Sequence, residues 1–306
     1  MTLSDVYPKR RTVKTKHLLK VSTPYLFLAP ALFIFGFALF YPIFYGVGLS
    51  AFRWSMGELY TKAPLFVGLK NYLDIIKDPN FLTSLRVTTV FIIATMISEL
   101  FVGMVLALLA ERGTKGLHIF RTIFILPIMI APVVVGVVWR YLYNPTYGLI
   151  NYFLGKIGIA PVMWLSQPDT ALASIIITDI WQWTPFVFLI LLAGLQTVPD
   201  DIIEASVVDG ANYFQTLFLI KIPVMKPIIG ITVVMRLIDA MRGLVVMYIM
   251  TFGGPGLSTE VLSLHIYKTA FLSQRLGKAS AMSVFLIIYM LVVALGLLRI
   301  FRTERR

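Results

Sequence analysis

The residues of this 306-residue chain with most chemistry to offer are charges, and aromatic side chains beside an amide, set inside apolar runs. Arg236, Asp239 and Arg242 recur at i, i+3 and i+6 in one such run. Helical spacing would hold them within about a third of the circumference. Each charge costs about 2.5–3.5 kcal/mol at the centre of a hydrocarbon layer, so it must face protein or water. Asp239 between two arginines can satisfy both in part, leaving a net positive stripe. The stripe reads either as a structural ion-pair set or as one wall of a hydrated path for a polar solute. Its net sign makes an anionic sugar derivative worth testing.

A second constellation is Trp181-Gln182-Trp183-Thr184-Pro185-Phe186, midway along another apolar run. Flat aromatic faces can pack on sugar C–H groups, and the amide beside them both donates and accepts, which suits a hydroxylated ligand. Tryptophans of an interfacial belt would sit at the ends of the run instead. Pro185 also frees a backbone carbonyl, which is tolerated only against protein or water. Glu99 and Asp179 lie inside apolar runs too, and hydrogen bonding between helices is the simpler role for them.

A third is a polar island from Pro199 to Pro227. Asp200 is expected to cap a helix, with Asp201 and Glu204 near its positive end. Asp209-Gly210 reads as its stop, because Gly accepts positive φ without steric cost. A second short helix is expected over Tyr213 to Ile220, ended by Pro223 and Pro227.

Other chemistries lack their residues. The chain has no cysteine, and His17, His118 and His265 are scattered, so no metal site is expected. There is no phosphate-binding Gly-Lys-Ser/Thr loop, HExxH or GxSxG, so no cofactor, ATP included, is expected on this chain and no enzymatic activity of its own.

The elements that must position these residues are membrane spans. The chain is 58% hydrophobic and 14% charged, with a mean hydropathy of +0.84. Its net charge of +12 crowds at Lys9–Lys20 and Arg299–Arg306, beside apolar runs. That is the pattern of topology anchors against membrane lipid, not of a nucleic-acid face. Spans are expected near 24–49, 87–110, 122–139 (kinked at Pro127 and Pro132), 171–195, 228–250 and 279–298. The apolar run from Val21 to Phe52 is too long for a leader, so the first span is expected to be retained. An all-α, six-span domain over 24–300 follows, with tails 1–23 and 301–306. Segments placed inside the cell carry 15 Lys and Arg against 9 outside, which puts both termini and the polar island in the cytoplasm.

The polar island resembles a known family. Glu204-Ala205-Ser206, Gly210, Ile220 and Ile222-Pro223 follow the EAA loop of binding-protein-dependent ABC importer permeases, with Ser206 for its second Ala and Ile222 for its Leu. LAPALF, RTIFILP (Arg121–Pro127), NPTYG, Trp181 with Pro185, and TFGGPG (Thr251–Gly256) make the chain similar to the carbohydrate branch, of maltose and glycerol-phosphate type. The resemblance implies a bacterial inner-membrane importer with a second permease subunit, favouring a paralogue, an ABC ATPase dimer that holds ATP and Mg, and an external solute-binding protein. It implies that Glu204, Ala205, Ser206, Asp209, Gly210 and Pro223 meet the ATPase. It places Ile128, Gln182, Trp183, Phe186, Ala240 and Gly243 on the solute path, where Arg236, Asp239 and Arg242 add polarity. An ion-coupled secondary transporter is the alternative; it would want an internal repeat, and none is evident.

Overall fold

The computed structural model describes residues 13–58, 63–111 and 116–301. Most of the basic tail at the start, and 302–306 at the end, lie outside them. Helix α1 (Val13–Ser50) begins within the segment expected to be a tail, so no break separates the basic stretch from the first span. A two-residue hairpin pairs β1 (Phe52–Arg53) with β2 (Leu65–Phe66), antiparallel. Helix α2 (Lys70–Ile76) then leads into α3 (Pro79–Glu111).

Helices α4 (Leu117–Met129) and α5 (Pro132–Leu142) replace the single kinked span expected there: they meet at 97°. The cause is local. Pro132 brings no amide, and the residue before a proline is driven out of the helical region. Ile130 and Ala131 are accordingly extended, with ψ of 129° and 137°. Helix α6 (Leu149–Lys156) crosses the following loop, and α7 (Pro168–Leu195) is the central span, with Pro185 inside it.

Helices α8 (Asp200–Val208) and α9 (Tyr213–Thr216) fill the polar island. The prolines do not end α9 as expected. A π-helical turn over Leu217–Lys221 carries the chain without interruption into α10 (Ile222–Met241). Pro223 falls in the first turn of α10, where no amide is needed, and Pro227 is absorbed inside it. The fifth span therefore starts earlier than expected and stops at Met241; Leu244–Met250 is a separate helix, α11. Helix α12 (Leu262–Tyr267) lies in the last loop, and α13 (Leu276–Phe301) is the final span.

Among the described residues five helices are long and apolar enough to cross a membrane, or six if the bent α4–α5 pair counts as one. The centre is α7, packed most extensively on α3. Gly103 makes that approach possible: a Cβ there would meet Val187 Cγ1 at 2.9 Å. Small residues at such crossings let dispersion forces hold helices that lipid cannot drive together. Helix α1 lies outside, chiefly on α13. Buried hydroxyls at Thr88, Thr95, Ser174 and Thr178 satisfy themselves on carbonyls one turn back.

Candidate functional site

The expected stripe separates. Arg236 is buried and turns away from Asp239 to two acids on other helices. Its Nε donates to Glu99 Oε2 at 2.5 Å, and its Nη2 donates to Glu99 Oε1 and Asp179 Oδ2, both at 2.7 Å. This triad ties α3 and α7, near their middles, to the last third of α10. Glu99 and Asp179 are thus the counter-ions, and Asp239 is not. Among the described residues Asp239 makes no ion pair. Arg242 caps the end of α10, so the helical repeat breaks before the third member of the stripe.

The indole of Trp183 lies against the Arg236 guanidinium, 4.9 Å from ring centroid to Cζ. Delocalised cations favour such faces, most of all away from water. Trp183 meets Phe186 edge-on at 6.1 Å, while Trp181 packs on Trp139 at 5.5 Å. Gln182 is buried, and its Nε2 donates to the Ile130 carbonyl at 3.2 Å. That carbonyl is freed by the α4–α5 break, so the side chain expected to face a solute also holds the bend.

A cavity of about 150 Å³ opens beside this cluster, walled by the start of α5, by α7, by the α10–α11 junction and by Phe91 of α3. Asp179, Gln182, Trp183, Asp239, Arg242 and Gly243 all line it. Ile128, Phe186, Arg236 and Ala240 do not; Ala240 is in the apolar core, and Ile128 belongs to α4 just before the break. Sequence reasoning gave Asp179 the lesser role. Its position three residues before Gln182, nearly one helical turn, is the signal that could have raised it. A typical ligand cleft is about 300–1,000 Å³, so the cavity is narrow in this state.

At the other end of α10 the α8–α9 hairpin is built for rigidity. Pro199, not Asp200, occupies the capping position of α8 and offers no side-chain cap; Asp200 and Asp201 fill the first turn, where the helix dipole favours them. After Asp209, Gly210 takes φ +79°; its amide bonds Val207 at 3.1 Å, and the Ala211 amide bonds Ser206 at 2.9 Å. This is the Schellman closure that wants Gly. Asn212 and Gln215 cap each other's backbone amides to start α9, a reciprocal pair that Asn three residues before Gln could have revealed. Ser206 Oγ meets Thr216 Oγ1 at 3.2 Å across the hairpin, a bond that Ala could not make.

Lys221 then donates to both carboxylate oxygens of Glu111, each at 2.8 Å. Helices α3 and α10 are therefore pinned twice by charge, at Glu111–Lys221 and at Glu99–Arg236. The outer surface of the hairpin sets large apolar side chains among acids: Val207 and Val208 are 65% and 86% exposed, with Phe214 and the carboxylates of Asp201, Glu204 and Asp209 also exposed. Beyond the other end, Glu260 bonds His265 Nδ1 at 2.6 Å and pairs with Lys268. Lys268 also reaches the Phe252 carbonyl at 2.8 Å, folding the TFGGPG loop onto this cluster.

Residues 99–303 match the family of binding-protein-dependent transport system inner membrane components. The chain belongs to this family. It is a multi-pass permease subunit of a binding-protein-dependent importer, and the ion-coupled alternative has no support. The trehalose/maltose transport system permease protein MalF of Thermococcus litoralis is 35% identical over 240 residues, 78% of this chain and 81% of that protein. The sn-glycerol-3-phosphate permease UgpA of Agrobacterium fabrum is 30% identical over 286 residues, 92% and 95% of the two chains. A chain from a bacterial ABC transporter that imports the acidic polysaccharide alginate shares the fold, with a TM-score of 0.80, 22% identity, and 96% and 100% coverage. A related structure captures that transporter with a periplasmic protein bound to an alginate pentasaccharide (TM-score 0.79, 22% identity, 95% and 98% coverage).

Proposed function

We propose that the chain moves a carbohydrate or related polar solute across the bacterial inner membrane, driven by ATP hydrolysis on partner subunits. The observation that carries the coupling half of this reading is the exposed hairpin around Glu204 and Gly210. It is rigid, lies at the end of two long helices, and leaves large apolar side chains uncovered. Such patches mark partner surfaces, and an ABC ATPase dimer with its own ATP and Mg is the partner that the family requires. Asp209 belongs to the hairpin's frame, Pro223 to the first turn of α10 that follows it, and Ala205 lies exposed beside Glu204. Both termini and the hairpin then face the cytoplasm.

The solute path runs past the Asp179–Gln182–Trp183 face of α7 and the Asp239–Gly243 junction. ATP-driven closure of the ATPases would push the hairpin; α10 and α3, pinned by Glu111–Lys221 and Glu99–Arg236, would carry the motion to that junction. A second permease, which the resemblance takes to be a paralogue, completes the path, and an external solute-binding protein delivers the solute. The carbohydrate class is supported by the names of the relatives and by the aromatic–amide face.

Gly210→Trp tests the reading. A Cβ at Gly210 would meet no atom within 4 Å, so the bulk projects outward, while φ of +79° strains any side chain. Insertion should survive, whereas binding-protein-stimulated hydrolysis and uptake in vesicles should uncouple, or the ATPase should fail to co-purify. Full stimulated hydrolysis with full uptake would refute the hairpin as coupling element.

A further inference from the structure

Family membership leaves the charge of the solute open, since the relatives are named for a neutral disaccharide and for a phosphate ester. The expected stripe of two arginines and one aspartate was net positive, but the folded arrangement is not. Arg236 is withdrawn from the cavity, with Nε and Nη2 committed to Glu99 and Asp179 and one face covered by Trp183. The ionisable groups left lining the cavity are Asp179, Asp239 and Arg242. With Glu99 and Arg236 behind them, three carboxyls face two guanidiniums. The formal sum is −1, and a proton on any one carboxyl brings it only to zero. With all three carboxyls ionised, or with one of them protonated, the cavity presents no net positive face.

From this we infer that the site takes uncharged polyhydroxylated solutes and excludes anionic ones. The inference rests on the proposed solute path and adds the class of solute. Asp179 and Asp239 are acceptors suited to hydroxyl pairs, Arg242 and Gln182 supply donors, and Trp183 offers an apolar edge. A carboxylate, sulfonate or phosphate would instead meet two carboxylates against the single Arg242 guanidinium in a narrow, poorly screened space. Glycosides and polyols fit; uronic acids and sugar phosphates do not.

The test uses the purified permease–ATPase complex without its binding protein, so that selection by that protein does not enter. Equilibrium binding of methyl α-glucopyranoside is compared with that of the methyl α-glycoside of glucuronate, the same ring and aglycone with a carboxylate at C6. The glucuronate glycoside should bind at least about tenfold more weakly, the size expected for one unfavourable charge contact at intermediate screening. Asp239→Asn should shrink that ratio, and Arg242→Gln should widen it. Neither residue belongs to the buried triad, so both variants should fold. The glucuronate glycoside binding as tightly as the glucoside overturns the inference, as does a ratio unmoved by either variant, or no binding of either sugar. ATP-driven uptake with the binding protein present reads the importer assignment separately, so the two failures are distinguishable.

Discussion

Replacing Arg236 by Met should be the most damaging single change in the membrane part of this protein. The side chain is 2% exposed, Glu99 is 0% exposed, and three charge-assisted bonds of 2.5, 2.7 and 2.7 Å would vanish together. Met fills much of the same volume, so the loss is electrostatic and not a cavity. Two carboxyls would be stranded among packed helices. Removing one partner of a buried pair costs about 3–5 kcal/mol, because the remaining charge has neither water nor counter-ion. At about 1.4 kcal/mol per decade, that is a two- to three-and-a-half-decade shift toward unfolded chain, against about 5–15 kcal/mol of total stability for a typical domain. The assay is membrane abundance together with thermal inactivation of the complex in mild detergent. Arg236→Met should fall sharply in both. Combining it with Glu99→Gln and Asp179→Asn should recover most of the loss, since replacing a whole buried ion set by neutral groups is often close to neutral. Asp239→Asn should leave abundance near wild type. Normal abundance and inactivation in Arg236→Met, or a triple variant no better than the single, would refute the reasoning.

Glu111→Lys or Lys221→Glu should lower uptake per ATP hydrolysed by about tenfold while the ATPase still co-purifies, and the double exchange should restore at least half of the coupling; failure of the exchange to rescue would count against the strut. Gln182→Ala removes one neutral hydrogen bond worth about 0.5–1.5 kcal/mol, so abundance should hold while uptake kinetics shift; identical kinetics across several solutes would exclude a pathway role. Burial raises the pKa of Glu260, but bonds from His265 and Lys268 outweigh it and hold the carboxyl below its ordinary value of about 4.5. A lowered folded value means that this contribution to stability is full above the unfolded pKa and lost as pH falls through the folded one. Inactivation temperatures measured from about pH 6 to about pH 3 should show that acid limb in wild type and not in Glu260→Gln.

Much of the fold is legible because membrane helices announce themselves by composition. A run of about twenty apolar residues can satisfy its backbone in lipid only as a helix, so the existence and order of the spans follow from the sequence, though the fifth is displaced by more than two turns at each end. Gly210 was legible for a similar reason, since a helix stop with positive φ is a property of one residue and its neighbours. The breaks were less so. Two prolines predict a disturbance near 127–132, but whether the helix kinks or turns through 97° depends on what receives α5, and the receiver is α11, more than a hundred residues on. The π-helical turn at Leu217–Lys221 likewise lets α9 run on where Pro223 and Pro227 suggested a stop.

The partner of Arg236 was decided by tertiary structure alone. Periodicity along the chain sees only neighbours within about four residues, and on that scale Asp239 is the natural counter-ion. Glu99 lies 137 residues away and Asp179 57, so no local pattern links them to Arg236. The rotation of α10 against α3 and α7 puts the guanidinium in their contact, where Glu99 accepts two bonds and Asp179 a third. That rotation is fixed by side-chain packing between helices, such as the close approach at Gly194 of α7, where a Cβ would meet Ile228 Cγ2 and Met225 Cε of α10 at 3.0 Å. The sequence alone therefore located the buried charges by depth, while packing decided which pairs neutralise each other and left the cavity to Asp179, Asp239 and Arg242.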